Sequence, residues 1–200
     1  MILNGSWATL PLLDFAPDLG YFRIEGDPTG TANRRLRYPR FVPFEYRVTK
    51  YDPALRDGRG AYIADDWTSV KDVGRAFGGV VLTDAEYRRV ERAYIDSAVA
   101  FLREGGLNSL TVKGLENPKE VALEVDEGSV LSLERLGDVI RKILREEFWC
   151  RLECSDGFAH FGWDYYMYIG VPHRCPKAEH LAEGLGLYPE EFASPYKEEP

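Results

Sequence analysis

The spacing of apolar residues changes near residue 148, and that change most constrains what the chain can fold into. Between 83 and 104, apolar residues recur at intervals of three and four, the period of an amphipathic helix. A second stripe of this kind runs over 132–147. Over 148–169 apolar residues instead alternate with other residues, which is the period of a β-strand. The sequence therefore predicts two long amphipathic helices followed by a sheet-forming region.

Local signals place the ends of the predicted helices. Thr83 and Glu86 form a T-x-x-E capping box at the start of the first helix, and Gly105-Gly106 ends it. Pro176 suits the first position of a C-terminal helix that ends near Gly184. A further short helix is predicted from Thr68 or Ser69, as N-cap, to about Phe77.

Period-two patterns and turn residues predict short strands, and the segment Pro189-Glu190-Glu191-Phe192 is interpreted as a turn. The predicted strands cover 21–24, 45–51, 107–115, 120–125, 148–154 and 158–169. The last two are separated only by Ser155-Asp156-Gly157, which is too short for a parallel crossover. We therefore predict an α+β fold with a mostly antiparallel sheet.

The domain prediction is one α+β domain over 1–200. Its N-terminal part, 1–44, is rich in Pro and Gly and is expected to be irregular. Its C-terminal part, 176–200, is expected to contain the last helix and an acidic tail.

Composition excludes several classes of protein. Hydrophobic residues make up 44% and aromatic residues 13%, which is enough apolar material to build a core. No apolar run approaches the ~18 residues of a membrane span. The first eleven residues contain no basic residue, and they do not resemble a signal peptide. With only three cysteines, the sequence predicts a cytoplasmic protein that does not depend on disulfides.

Charge is distributed unevenly around a net charge of −8. Residues 31–59 contain eight basic and three acidic residues, a net of +5. Residues 176–200 contain six Glu and two Lys, a net of −4. The overall acidity disfavours nonspecific nucleic-acid binding without excluding it, and it suits a basic protein partner.

Sequence motifs for common enzymes are absent: there is no phosphate-binding loop, no G-x-S-x-G and no H-E-x-x-H. The soft metal ligands Cys150, Cys154, His173 and Cys175 lack the spacing of a zinc ribbon, so no metal site and no cofactor are predicted. A catalytic Cys–His pair stays open as an alternative, because sequence does not show which Cys lies near a His. No catalytic residue is assigned, and the sequence leans against an enzyme.

A basic and aromatic stretch offers one candidate site. Arginine beside aromatic residues suits phosphates or bases, and the residues that would hold phosphate are Arg34, Arg35, Arg37 and Arg47. Asp65 or Asp66 would then carry a metal ion or a proton. The other interpretation is a solvated sheet edge that charge protects from aggregation.

The aromatic strand within 158–169 offers the other candidate site. Alternation places Trp163, Tyr165, Met167 and Ile169 on one side and Asp164, Tyr166 and Tyr168 on the other. We predict that at least two of Asp164, Tyr166 and Tyr168 are exposed, because tyrosines beside a carboxylate are typical of protein-binding surfaces.

Several runs of the sequence resemble an uncharacterised bacterial family of proteins of about this length. They are EYRVTKYDP (45–53), DDWTSVKDVG (65–74), LTDAEYRRVERAYI (82–95), HFGWDYYMYIG (160–170) and GLYPEEFASPY (186–196). The C-terminal third is also similar to immunity proteins of bacterial toxin systems, in which an aromatic strand precedes a helix and a final GL-x-x-E-x-F-x-S-P segment. The resemblance supplies no catalytic residues.

Two functional hypotheses follow. The first is a cytoplasmic immunity or antitoxin-type protein that neutralises a basic toxin through Asp164, Tyr166, Tyr168, Glu190 and Glu191. The alternative is an enzyme or ligand-binding protein that acts on a nucleotide or nucleic acid through the arginines of the basic stretch. An inhibitor needs an exposed complementary surface, whereas an enzyme needs a concave site where polar groups converge.

Overall fold

The computed structural model describes residues 42–120, 122–162 and 164–196, and within them the chain forms nine strands and three helices. The strands are β1 (Phe44–Thr49), β2 (Ala76–Phe77), β3 (Val80–Val81), β4 (Ser109–Glu116), β5 (Val130–Ser132), β6 (Trp149–Glu153), β7 (Phe158–Phe161), β8 (Tyr166–Val171) and β9 (Tyr188–Glu191). The helices are α1 (Asp84–Glu104), α2 (Leu133–Leu144) and α3 (Pro176–Gly184).

Seven of these strands form one sheet in the order β5-β4-β6-β7-β8-β1-β9, and β2 and β3 form a separate hairpin. Every described strand pair is antiparallel, including β6 with β7. The predicted α+β class with a mostly antiparallel sheet is therefore confirmed. The predicted strand at 21–24 lies outside the described residues, as does most of the segment 1–44.

Helix α1 is the long helix that the sequence predicts. The Thr83 side chain accepts a hydrogen bond from the backbone N–H of Glu86 at 3.1 Å, which satisfies one unpaired donor of the first turn. The helix ends before Gly105-Gly106, and Gly106 adopts a positive φ of 76°. Its buried side packs on the sheet, where the Phe101 ring lies 4.8 Å from that of Tyr46.

Helix α2 is shorter than predicted, with 12 residues instead of the range 132–147. Arg145 caps its end, and Glu146 adopts a positive φ of 55° that is incompatible with continuing the helix. Helix α3 begins at Pro176 and ends at Gly184, as the sequence predicts. None of the described helices is both long and apolar enough to span a membrane.

Four predicted elements are wrong. The strand predicted over 158–169 is two antiparallel strands, β7 and β8, with Asp164 and Tyr165 in the connection between them. The segment around Ser69–Phe77 contains only a single 3₁₀ turn, Val70–Asp72, and the short strand β2, because Gly74 takes a positive φ of 91°. The described residues of 120–125 form no strand, and the strand of this region is β5 instead. The turn expected at Pro189 is strand β9, which pairs with β1. Because β9 is an edge strand, it tolerates a proline that lacks a backbone N–H.

The two faces of the seven-stranded sheet differ in what covers them. On the inner face, alternate residues of the strands pack beneath the helices in one apolar core. On the outer face, Phe158 and Tyr168 form a small cluster with Val42, and Tyr166 and Tyr196 pack against it. Most candidate functional residues lie on or beside this outer face.

Candidate functional site

Five aromatic side chains gather on the outer face, and we call them the outer patch: Trp149, Tyr166, Tyr168, Phe192 and Tyr196. The Tyr196 ring lies 5.9 Å from Trp149 and 5.8 Å from Tyr168, and the Tyr168 ring lies 6.2 Å from Phe192. These separations are typical of interacting aromatic pairs. Phe192 is 44% exposed, whereas Tyr168 is 7% exposed. Tyr168 therefore forms the buried base of the patch, and Phe192 is its solvent-exposed ring.

Residues 192–196 follow β9 and cross the outer face, and we call them the C-terminal segment. The carbonyl and carboxylate of Glu45 accept hydrogen bonds from the backbone N–H groups of Phe192 and Ser194, both at 3.0 Å. Arg151 donates to the carbonyl of Tyr196 at 3.3 Å. These bonds fix Phe192 and Tyr196 in the patch.

A buried polar triad lies beneath this segment. His160 contacts Ser194 Oγ through Nδ1 at 2.8 Å and Glu153 Oε1 through Nε2 at 3.1 Å. The His160 ring also stacks on Phe158, with ring centres 4.3 Å apart. Because the Glu153 carboxylate accepts, Nε2 is assigned the proton and donates to it. Nδ1 of the neutral ring then accepts from the Ser194 hydroxyl, whose oxygen accepts from the Tyr196 N–H.

Burial lowers the pKa of His160 below its ordinary value of 6.5, although the Glu153 carboxylate opposes the shift. His160 is therefore neutral near pH 7, as the assigned network requires. A Ser–His–Glu set suggests acyl transfer, but here the N–H of Ser194 is bonded to the Glu45 carboxylate. A negative oxyanion at that N–H would meet this negative charge, so the arrangement suits anchoring of the segment better than catalysis.

Glu190 and Glu191 have different surroundings. The Glu190 carboxylate is bound by Arg56 at 2.6 and 2.7 Å and by Arg47 at 3.2 Å, and these hydrogen bonds lower its pKa. The Arg47 guanidinium also lies 4.1 Å from the centre of the Phe192 ring. Glu191 is exposed and forms an ion pair with Arg174. Of these two predicted binding residues, only Glu191 is readily accessible.

A groove of about 210 Å³, open to solvent, adjoins the outer patch. Its lining comprises Pro43, Phe44, Glu45, Arg174, Glu191, Phe192 and Ala193. Glu191 and Phe192 both line this groove, although the pairing of Glu191 with Tyr46 puts Glu191 on the helix side of β9.

The turn between β7 and β8 is braced from the core. Tyr165 adopts a positive φ of 63°, which is rare for a bulky residue, and its side chain is buried. Its hydroxyl donates to the Tyr87 hydroxyl at 2.9 Å. The hydroxyl of Tyr51 donates to the Asp164 carbonyl, and that of Tyr94 donates to the Tyr165 carbonyl, both at 2.7 Å. These bonds hold Asp164 in place at the rim of the outer face.

Asp164 is exposed, but Tyr166 is partly buried and Tyr168 is buried. The prediction that at least two of the three are exposed is therefore wrong. Alternation does place Tyr166 and Tyr168 on the outer face, opposite the buried Met167 and Ile169. The C-terminal segment covers Tyr168, and sequence period does not reveal such a cover.

The alternative phosphate site is only partly described. Arg34, Arg35 and Arg37 lie outside the described residues, and Arg47 is bound to Glu190. The carboxylate of Asp65 accepts from the Gly78 N–H at 3.1 Å, and that of Asp66 pairs with Lys50 at 2.6 Å. Lys50 in turn lies 4.2 Å from the rings of Tyr51 and Trp67. Within the described part, these groups do not converge on a phosphate-sized site.

The cysteines considered as metal ligands do not form a cluster either. Cys150 and Cys175 are buried on the helix side of the sheet, and burial raises their pKa to about 12 and about 11. Across residues 42–120, 122–162 and 164–196, no group of three or more His, Cys, Asp or Glu side chains is placed to hold a metal ion.

Sequence reasoning missed Glu153, His160 and Ser194 as a set, and it missed Trp149 as part of the patch. The run ending in Phe192 and Ser194-Pro195 was the one available signal, because it resembles the final segment of immunity proteins. Nothing in the sequence shows that this run returns across β7 and β8. Comparisons with protein-family models, curated proteins and solved structures find no match.

Proposed function

We propose that this chain is a cytoplasmic protein of the immunity or antitoxin kind that works by binding another protein. The outer patch and Asp164 would form the binding surface. The observation that supports the proposal most is the continuous series of four aromatic rings, Trp149, Tyr196, Tyr168 and Phe192, on the face opposite the helices. Tyr166 packs against the same cluster. Trp, Tyr and Arg dominate the residues that carry binding energy in protein interfaces.

Charge supports a basic partner. Residues 1–41 carry +1 and residues 197–200 carry −1, so residues 42–196 carry the full −8 of the chain. An acidic surface speeds encounter with a basic protein and disfavours acidic competitors. A basic toxin fits this requirement.

The proposed roles of the binding residues differ. Asp164, Glu191 and the accessible part of Tyr166 would contact the partner directly. Tyr168 would support Phe192, and Glu190 would hold Arg47 against the Phe192 ring. Phe192 becomes the central anchor, because it combines exposure with a fixed position.

The test is binding to the protein encoded immediately upstream of this chain, measured by titration calorimetry. Phe192→Ala should weaken binding by about 2 kcal/mol or more, the usual cost of truncating a central anchor. Leu181→Ala is the matched control, because Leu181 is 42% exposed but lies on α3. Its effect should stay below about 0.5 kcal/mol.

Equal losses of binding free energy in Phe192→Ala and Leu181→Ala would mean that the outer patch is not part of the interface. Failure of the unaltered protein to bind this toxin candidate, or to protect cells that express it, would contradict the immunity function.

A further inference from the structure

The β2–β3 hairpin ends in an apolar tip that projects into solvent. Gly78 and Gly79 form its two-residue turn, with the positive φ values of 54° and 82° that such a tight turn requires. Val80 and Val81 follow the turn, and they are 71% and 54% exposed. Because neighbouring strand residues point to opposite sides, both faces of β3 are open to solvent.

The surroundings of the tip show that it is uncovered. Beyond the neighbouring residues, no described atom lies within 4 Å of a Cβ atom built on Gly78 or Gly79. Among the described strands, β3 pairs only with β2, which leaves its other edge free. Free strand edges usually carry charged residues or proline that prevent pairing with other chains, but the eight residues 76–83 contain neither. A group of exposed apolar residues of this kind marks an interaction site.

The base of the hairpin is held in a fixed position. The Leu82 N–H donates to the Arg75 carbonyl at 2.8 Å, and the Leu82 side chain is buried. At the turn, the Asp65 carboxylate accepts from the Gly78 N–H at 3.1 Å. A tip that is ordered before binding loses little conformational entropy when it binds.

The loop 62–67 connects the tip with the proposed binding surface. In this loop Trp67 packs against Tyr165, with ring centres 5.0 Å apart, and Tyr165 follows Asp164 in the β7–β8 turn. Ile63 of the same loop is 67% exposed, and it lies two residues before Asp65, which binds the hairpin turn. A partner bound at Asp164 is therefore adjacent to this loop and, through it, to the hairpin.

Size and charge indicate what the tip meets. A standard interface takes roughly 20–30 residues from each partner, so the tip is too small to hold two copies of this chain together by itself. Residues 42–196 carry a net charge of −8, which opposes both self-association and contact with anionic lipid. A basic protein that also contacts the outer patch fits both requirements.

We propose that the β2–β3 hairpin inserts Val80 and Val81 into an apolar pocket of the basic protein partner, as a second contact beside the outer patch. This inference rests on the proposed function and adds to the chemistry of the partner, which presents an apolar pocket within a basic surface. Transfer of the two valine side chains from water into the pocket stabilises the complex.

The experiment measures binding of the full-length protein to the protein encoded immediately upstream, by titration calorimetry. The double variant Val80→Thr with Val81→Thr replaces one methyl group of each side chain by a hydroxyl and keeps the β-branched shape that suits a strand. Its dissociation constant should rise at least about tenfold, because each hydroxyl would enter an apolar pocket without a hydrogen-bond partner.

Val130→Thr is the matched control, because Val130 is 65% exposed and lies on β5, at the opposite edge of the seven-stranded sheet from β9. Its dissociation constant should stay within about twofold of that of the unaltered protein. Methyl NMR spectra provide a direct readout of contact. Binding should shift the methyl signals of Val80 and Val81 and leave those of Val130 unchanged.

Equal dissociation constants for the double variant and Val130→Thr would overturn the inference and leave the proposed function standing, because Phe192→Ala tests the outer patch separately. If the unaltered protein does not bind, the proposed function is contradicted and this inference with it.

Two further results would assign the tip to another occupant and overturn the proposal. A dimer of the free protein in sedimentation, lost in the double variant, would identify a second copy of this chain. Binding to vesicles of phosphatidylcholine and phosphatidylglycerol, again lost in the double variant, would identify a lipid surface.

Discussion

The two faces of the seven-stranded sheet are built from the same alternating strands but are covered in different ways. On the inner face, Val112, Leu152, Met167 and Ile169 have no exposed surface and pack beneath the helices. On the outer face, aromatic rings alternate with charged groups, and a five-residue segment partly covers them. The comparison indicates that the inner face supplies stability, and under the proposed function the outer face would supply recognition.

The different covers explain why the two faces look different. A helix with an apolar stripe demands an apolar surface below it, so polar groups on the inner face would lose their hydrogen bonds to water. The C-terminal segment instead brings backbone N–H groups and a serine to the sheet. The outer face supplies Glu45, Arg151 and His160 as their partners.

The largest expected effect is the difference in stability between two phenylalanine substitutions, one in the core between α1 and the sheet and one in the outer patch. Phe101→Ala removes a ring that has no exposed surface and packs between α1 and the sheet. Its cost should be about 3–5 kcal/mol in the free energy of unfolding, measured with chemical denaturant. Phe192→Ala should cost less than about 1 kcal/mol, because much of that ring is already in solvent.

A similar loss of stability in Phe101→Ala and Phe192→Ala would contradict the difference between the two faces. It would mean that the outer patch belongs to the core that holds the fold together.

His160→Ala should have the next largest effect. The substitution removes the ring that stacks on Phe158 and leaves the buried groups of Glu153 and Ser194 without their partner. Leaving buried polar groups unpaired costs about 1–3 kcal/mol, so unfolding should become easier by that amount. If chemical denaturation shows no loss in the free energy of unfolding, the triad does not anchor the C-terminal segment.

Ser194→Ala should cost about 1 kcal/mol, the usual net value of one hydrogen bond. Its effect should be local, because Ser194 Oγ joins His160 to the N–H of Tyr196. Amide hydrogen exchange should therefore speed up at Tyr196 and stay unchanged in α1. Faster exchange throughout the molecule would contradict a local role.

The smallest effect concerns pH. Because the folded pKa of His160 lies below its ordinary value, the unfolded chain binds more protons as pH falls. This contribution to stability is present above about pH 6.5 and is lost as pH drops through the lowered pKa. His160→Asn should reduce the decline in melting temperature between pH 7 and pH 5. If the melting temperature of His160→Asn declines as much as that of the unaltered protein, other titrating groups cause the decline.

Sequence predicted those parts of the fold that local signals encode. The T-x-x-E motif marks the start of α1, although only Thr83 makes a capping bond and the Glu86 carboxylate binds Arg89 instead. The turn Ser155-Asp156-Gly157 marks the β6–β7 hairpin. Strand β5 was missed because three residues are too few to show a period. Strand β9 was missed because a proline and two glutamates carry no strand signal, and pairing with β1 decides its conformation.

The candidate site was predictable only in part. Alternation identified the side of the sheet on which Tyr166 and Tyr168 lie, and Asp164 is exposed as expected. The triad joins residues from β6, β7 and the C-terminal segment, with 34 positions between His160 and Ser194. Contacts at such separation depend on strand order, which a single sequence does not specify.

Hydrogen exchange with and without the upstream-encoded protein decides whether the outer face binds a partner. Binding should slow amide exchange in 149–153, in the turn that carries Asp164 and in 192–196, while exchange in α1 and α2 stays unchanged. Slower exchange confined to the helices, with the outer patch unchanged, would contradict this prediction.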